Sequence, residues 1–165
     1  MEIIKTKCPA KINLYLKVGN LRKDGLHNIR SRFQLVDLYD DLIIKKTDCD
    51  FLIKSNLNKK KFLQNNILNL AHYHLTQETG ENLRCEVYLK KNIPIGAGLG
   101  GGSSNAASFL VATNKLFKLG LSIGKLIKLQ RKLVPISPSS YMVKMHMYMV
   151  LVITWLNQRI IIIGY

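Results

Sequence analysis

Over the first half of this chain apolar and polar residues alternate with a period of two, the spacing at which side chains change face along a strand. Residues 1–18 mix short apolar runs with lysines, and Cys8-Pro9-Ala10-Lys11-Ile12-Asn13-Leu14-Tyr15-Leu16 reads as strand, break, strand, with the break at Pro9. Lys11, Asn13 and Tyr15 then share a polar face, and Ile12, Leu14 and Leu16 a core face. Residues 31–36 and 41–46 predict two strands joined through Asp37-Leu38-Tyr39-Asp40, and residues 51–54 predict another. Past residue 65 the period changes. Ile67, Leu68, Leu70, Ala71 and Leu75 recur at helical spacing, and Gly80 is the expected stop. Residues 83–90 alternate again as a strand. They lead through Lys91-Asn92-Ile93-Pro94 into a glycine-dense stretch, followed by a helical run over residues 103–117. Gly120-Leu121-Ser122-Ile123 supplies a turn and an N-cap for a second helix over residues 124–133. At 165 residues the pattern predicts one α+β domain with a sizeable core.

The glycine-dense stretch carries the chemistry. It reads Pro94-Ile95-Gly96-Ala97-Gly98-Leu99-Gly100-Gly101-Gly102-Ser103-Ser104-Asn105-Ala106-Ala107. Glycines let the backbone take positive φ and approach a ligand closely, so successive N–H groups converge on one anion. Ser103 or Ser104 is the expected N-cap of the following helix, whose N-terminal N–H groups face the same anion. The P-loop ending and the dinucleotide fingerprint are both absent, so the loop belongs to another class of phosphate cradle. A flexible linker is the competing reading, but linkers are rarely followed at once by a capped, alanine-rich helix.

Charge and cysteine content narrow the setting. A net charge of +15 and a pI near 9.9 suit a phosphate-rich partner, either a nucleotide or a nucleic acid. The lysines are spread along the chain, and only Lys59-Lys60-Lys61 forms a run, in an expected loop, so a solvated face explains them better than a nucleic-acid stripe. Cys8, Cys49 and Cys85 have neither paired spacing nor clustered histidines, which argues for a reducing cytoplasm and against disulfides or zinc. His72 and His74 are two apart, so on a helix they point in different directions and form no metal pair. The N-terminus lacks the pattern of a signal peptide, and no stretch before residue 140 has the composition of a membrane span.

Pro9-Ala10-Lys11-Ile12-Asn13-Leu14, Asp24-Gly25-Leu26-His27 and the glycine stretch stand in that order along the chain. Together they resemble the 4-diphosphocytidyl-2-C-methyl-D-erythritol kinases, a family of the galactokinase, homoserine kinase, mevalonate kinase and phosphomevalonate kinase (GHMP) superfamily. The resemblance runs from about residue 5 to residue 133. It implies the N-terminal, ATP-binding domain of that fold over residues 1–133, a ribosomal-protein-like two-layer arrangement of sheet and helices. It also implies Mg²⁺-dependent transfer of the ATP γ-phosphoryl group to a hydroxyl of a cytidine-diphosphate-linked methylerythritol, in the non-mevalonate isoprenoid pathway. Residues 94–104, that is Pro94, Ile95, Gly96, Ala97, Gly98, Leu99, Gly100, Gly101, Gly102, Ser103 and Ser104, would hold the ATP phosphates. Lys11 would be the catalytic cation, and Asn13 and His27 would bind substrate. Leu26 stands where the family usually has an aromatic.

After Leu133 the family pattern stops. The family continues Gly-Ala-Asp and then Pro-Phe-Phe or a close variant, that aspartate being catalytic, whereas this chain reads Val134-Pro135-Ile136-Ser137-Pro138-Ser139-Ser140. No Asp or Glu occurs from residue 134 to residue 165. The genetic code permits Gly-Ala-Asp-Ile-Pro-Phe-Phe when the last base of each codon is read with the first two of the next. In that register Met142-Val143 forces Gly, Met145-His146 forces Ala, Met147-Tyr148 forces Val and Met149-Val150 forces Gly. The family has a spaced Gly, Ala and Gly here. Residues 134–165 therefore read as an out-of-frame tail following loss of one base near codon 134. The tail runs Tyr148-Met149-Val150-Leu151-Val152-Ile153-Thr154-Trp155-Leu156 and Ile160-Ile161-Ile162-Ile163 are β-prone and uncharged, which favours aggregation over membrane insertion. The expected activity of the chain as written is low or nil. Two further readings stay open: a basic nucleic-acid-binding module, and an inert fragment of a decayed kinase gene.

Overall fold

A computed structural model describes residues 2–21, 27–57, 60–133, 152–153 and 162–164 of the chain. Two long strands, β1 (Glu2–Leu21) and β2 (His27–Lys46), pair antiparallel and form the spine of a five-stranded sheet. β3 (Leu52–Ser55), β4 (Cys85–Lys90) and β5 (Ile162–Gly164) complete it in the order β3-β4-β2-β1-β5. Only β3 and β4 run parallel, and the crossover that parallel pairing requires is supplied by α1 (Lys60–Gln64) and α2 (Ile67–Thr79). After β4 come α3 (Gly101–Leu116) and α4 (Ile123–Lys132).

One sheet face is apolar and carries the helices. Ile4, Cys8, Leu42, Ile44, Ile53, Cys85, Val87 and Leu89 are buried on it, while Lys5, Lys7, Tyr88 and Lys90 point outward. α3 lies at the centre, against β1 and β2 with α2 and α4 beside it. Ala106, Ala107 and Ala112 permit close approach, and Phe109 fills the core at zero exposure, a burial contributing roughly 2–3 kcal/mol. Val152 and Ile153 join the same core, and β5 pairs with residues 2–4 of β1.

The α+β class, the strand at residues 52–55 and both long helices agree with the sequence reading. Asn66 caps α2 by accepting from the Leu68 amide, Gly80 ends it at φ +70°, and Ser122 caps α4. Four local expectations change. Residues 31–36 and 41–46 are parts of one strand, and the stretch between them is a bulge, since Pro9 pairs with Tyr39 but Ala10 with Val36. Pro9 marks that register shift without ending β1. Ile12, Leu14 and Leu16 are not core: they are 39%, 53% and 47% exposed, because beyond Ala10 the hairpin outruns the helix layer. Lys60 and Lys61 open the short helix α1 instead of a loop, while Asn58 and Lys59 lie outside the described residues.

His72 belongs to the packing between α2 and its neighbours. Its ring stacks on Phe51 at 4.0 Å, and Nε2 donates to the Leu83 carbonyl at 2.9 Å. Burial outweighs that bond and holds its pKa below the ordinary 6.5. The unfolded chain therefore binds a proton that the folded chain resists, so stability present above the unfolded pKa is lost as pH falls through the folded one. The urea midpoint is expected to be lower at about pH 5.5 than at about pH 7.5, with a shallower slope in His72→Gln. An equal slope in that variant would assign the effect to other groups.

Candidate functional site

β4, the glycine loop and α3 follow one another without interruption, the order the sequence predicts. Gly96, Gly98 and Gly100 take φ of +79°, +72° and +74°, so every second residue is in the left-handed region that a side chain resists. Such repeated turns make a concave run of backbone N–H groups, a nest for an anion. Gly102 has nothing within 4 Å of where a Cβ would stand, which leaves the mouth of the nest open. The N-cap of α3 is Gly100, without a side-chain bond, and not the expected Ser103 or Ser104. Those serines lie inside the first turn and are buried, because the helix starts two residues early with Ser104 N–H donating to the Gly100 carbonyl at 3.0 Å.

Lys11 reaches this loop through its backbone. Its amide donates to the Leu99 carbonyl at 2.9 Å, tying β1 to the middle of the glycine run. The Lys11 ammonium donates to Asn13 Oδ1 at 3.2 Å and lies 5.5 Å from the Phe33 ring centroid. The Lys11 and Asn13 side chains are thus brought together, as the shared-face argument requires, and the Lys11 backbone is joined to the loop. His27 begins β2 opposite Leu21, about 20 Å along the strand from Phe33 at ~3.3 Å per residue. Asp24, Gly25 and Leu26 lie outside the described residues, as do residues 134–140.

Beside the loop is a cleft of about 390 Å³. Residues 94–103 form one wall, and Phe62, Asn65, Asn66 and Ile67 from the α1–α2 junction form the other, with Lys91 and Asn105 also lining it. The size falls in the range of small-molecule pockets, and a mixed wall with Phe62 and Ile67 beside a phosphate-type backbone wall suits a nucleotide. Asn105, which lines the cleft, has its Oδ1 buried without a hydrogen-bond partner, as does Ser104 Oγ beside it in the first turn of α3. Among the described residues no cluster of three or more His, Cys, Asp or Glu could hold a metal by itself.

The α1–α2 wall, Lys91 and Asp40 escape the sequence reading. Asp40 is fully buried and accepts from the backbone amides of Asn92 and Ile93, 2.8 Å each, and from Lys91 Nζ. The one signal for it is an Asp-Asp pair interrupting an apolar strand pattern, which reads as a turn.

The comparisons with known proteins bear on this assembly of strand, glycine loop and helix. Residues 65–137 match the family described as GHMP kinases N terminal domain. In fold the chain matches a GHMP kinase N-terminal domain. The chain is 42% identical over 121 residues to the 4-diphosphocytidyl-2-C-methyl-D-erythritol kinase of Ruthia magnifica subsp. Calyptogena magnifica, covering 73% of this chain and 42% of that protein. It is 43% identical over 127 residues to the enzyme of that name from Prochlorococcus marinus, covering 76% of this chain and 40% of that protein. A crystal structure of 4-(cytidine 5'-diphospho)-2C-methyl-D-erythritol kinase superposes with a TM-score of 0.69 at 29% identity, over 85% of this chain and 48% of the other. Homoserine kinase from Cytophaga hutchinsonii shares the fold, with a TM-score of 0.59 at 20% identity, over 79% of this chain and 40% of the other. The chain thus spans less than half the length of the curated relatives it matches.

Proposed function

We propose that this GHMP domain binds ATP–Mg²⁺ at the glycine loop and is the nucleotide-binding part of a kinase. The kinase would transfer the γ-phosphoryl group to a hydroxyl of 4-diphosphocytidyl-2-C-methyl-D-erythritol. The observation that carries the reading is the glycine nest opening on the 390 Å³ cleft, with Lys11 fastened to its centre. Phosphoryl transfer relies on positioning and on neutralising spread negative charge, so converging backbone donors and a nearby ammonium are apt equipment. Residues 94–104 hold the phosphates, Lys11 supplies the cation, and Asn13 and His27 bind the substrate. The orphaned Asn105 Oδ1 and the Ser103–Ser104 turn fit a nucleotide with its Mg²⁺, which would be carried mainly on the phosphates. A divalent ion in that place neutralises the charge of the transferring group.

The missing part is the base. No side chain from residue 134 onward offers a carboxylate, and the matched stretch is less than half the length of the relatives. We read residues 134–165 as an out-of-frame tail, so the chain as written binds ATP with little or no turnover. The buried free thiols of Cys8 and Cys85, both pushed up to about 12 by burial, suit the reducing cytoplasm in which we place it. The test is phosphoryl transfer by a chain in which one base is restored at codon 134, with and without Lys11→Ala. Equal turnover in the two would remove Lys11 from the reaction.

A further inference from the structure

The grip of β2 on the approach to the glycine loop is more elaborate than a turn needs. Asp40 is at zero exposure on the sheet face that carries the helices, and its carboxylate is surrounded by donors. Oδ1 accepts from both Asn92 N–H and Ile93 N–H at 2.8 Å, and Oδ2 accepts from the buried ammonium of Lys91. Asn92 Nδ2 donates in turn to the Tyr39 carbonyl at 2.8 Å and to Asp41 Oδ2 at 3.3 Å. Three consecutive residues of β2 therefore hold three consecutive residues leading into the loop. The bulge between Val36 and Tyr39 is what turns this part of β2 out of simple register with β1.

The held segment also touches the far end of the loop. A Cβ built on Gly101 would meet Ile93 Cγ2 at 3.1 Å, Lys91 Nζ at 3.2 Å and Ile93 Cβ at 3.3 Å. The start of α3 thus lies directly on Lys91 and Ile93, so entry and exit of the glycine run converge on one point. The Asp40 carboxylate makes three of the bonds that fix this point to the sheet. Asn92 Nδ2 adds its bonds to Tyr39 and Asp41, and Asn56 holds the Lys91 backbone, accepting from its N–H at 2.8 Å and donating to its carbonyl at 3.1 Å. Within the run, Lys11 N–H bonds Leu99 from β1. Asp40 bonds the entry of the loop, the exit at Gly101 packs on the Lys91 and Ile93 that Asp40 holds, and β1 bonds the middle, while Gly96 and Gly98 have open space where a Cβ would stand.

We propose that Asp40 is a positioning residue for phosphate binding: by fixing Lys91, Asn92 and Ile93 it sets the spacing between the two ends of the glycine nest. This inference rests on the nucleotide reading above. Converging N–H groups bind an anion well only when already aimed at it, since a loop that must be ordered on binding loses affinity by that ordering. On that reading the base and ribose would lie toward Phe62 and Ile67, which make no bond to Asp40.

Two double variants separate positioning from folding. Asp40→Asn with Lys91→Met keeps an oxygen for the Asn92 and Ile93 amides and leaves no buried charge. Asp40→Leu with Lys91→Met also leaves no buried charge but removes that oxygen, and an apolar replacement of a buried ion pair is often tolerated. Any direct contact of Lys91 with a nucleotide is lost equally from both. Isothermal titration with ATP–Mg²⁺ is expected to show affinity weaker by about tenfold or more in the leucine variant than in the asparagine variant, with adenosine affinities within about twofold. ATP affinities within about twofold of each other would overturn the proposal. So would parallel losses for ATP and adenosine, which mark a general defect. Should the leucine variant not fold, amide hydrogen exchange on the unaltered chain decides. Asn92 and Ile93 are expected to exchange about fivefold more slowly with ATP–Mg²⁺ than with adenosine, and equal rates overturn the proposal. An unaltered chain that binds no ATP overturns the nucleotide reading and this inference with it, whereas a chain that binds ATP indifferently to Asp40 overturns the inference alone.

Discussion

Gly100→Val is expected to weaken ATP–Mg²⁺ binding by about a hundredfold or more, equivalent to ~2.7 kcal/mol. Gly100 stands at φ +74° and is the N-cap of α3. A β-branched residue in that region is a backbone outlier, and the left-handed conformation alone costs an L-residue roughly 1–2 kcal/mol. The chain relieves that strain by moving Gly100 out of the left-handed region. The Gly100 carbonyl, which accepts from Ser104 N–H at 3.0 Å to start the helix, moves with it. Nest and helix N-terminus then no longer aim at one point, and the anion loses both. The loss is local, because the core around Phe109 and Leu110 lies beyond the first turn. Titration of the variant beside the parent, with urea unfolding as a control for stability, reads both quantities. Undiminished ATP binding would show that the loop is not the phosphate cradle.

Restoring one base at codon 134 is the second large effect. On the proposed out-of-frame reading the restored codons permit Gly-Ala-Asp-Ile-Pro-Phe-Phe directly after Leu133, and Leu133 is buried at the end of α4. An aspartate entering there follows a helix whose Gln130 Nε2 donates to the Ser103 carbonyl at 2.9 Å, so this helix is fastened to the first turn of α3 beside the loop. A positioned general base contributes about 10²–10⁴ in rate. Turnover of the cytidine-linked substrate is accordingly expected to rise by about a hundredfold or more over the chain as written. Lys11→Ala in the restored chain is expected to remove most of that gain, because the γ-phosphoryl charge loses its cation. Turnover by the unrestored chain at the restored rate would refute the assignment of a missing base.

The legible parts of this molecule are those in which local chemistry decides structure. Alternation marked β4, helical spacing with Gly80 marked α2, and the glycines marked the loop, since φ near +75° at 96, 98 and 100 is a demand on residue type. Lys11 and Asn13 met because two positions apart on a strand share a face. The parts that were not legible depend on partners remote in sequence. Ile12, Leu14 and Leu16 carry a core pattern on a hairpin that extends past the helices, and alternation does not record where the covering layer ends. Asp40 has a turn residue's chemistry, and only its pairing with residues more than fifty positions away makes it a buried anchor. Ser103 and Ser104 match an N-cap, yet the helix begins at Gly101 because Gly100 supplies the left-handed turn that starts it.

The proposed function requires ATP–Mg²⁺ binding at the glycine loop, and the direct measurement is a titration of the unaltered chain with ATP–Mg²⁺ and with single-stranded DNA across a range of salt. Predicted is saturable 1:1 ATP binding that single-stranded DNA does not displace, with any DNA association weak and lost as salt rises. Absence of saturable ATP binding, together with tight DNA binding that falls steeply with salt, would contradict the account and leave the charge of +15 as the better guide to function.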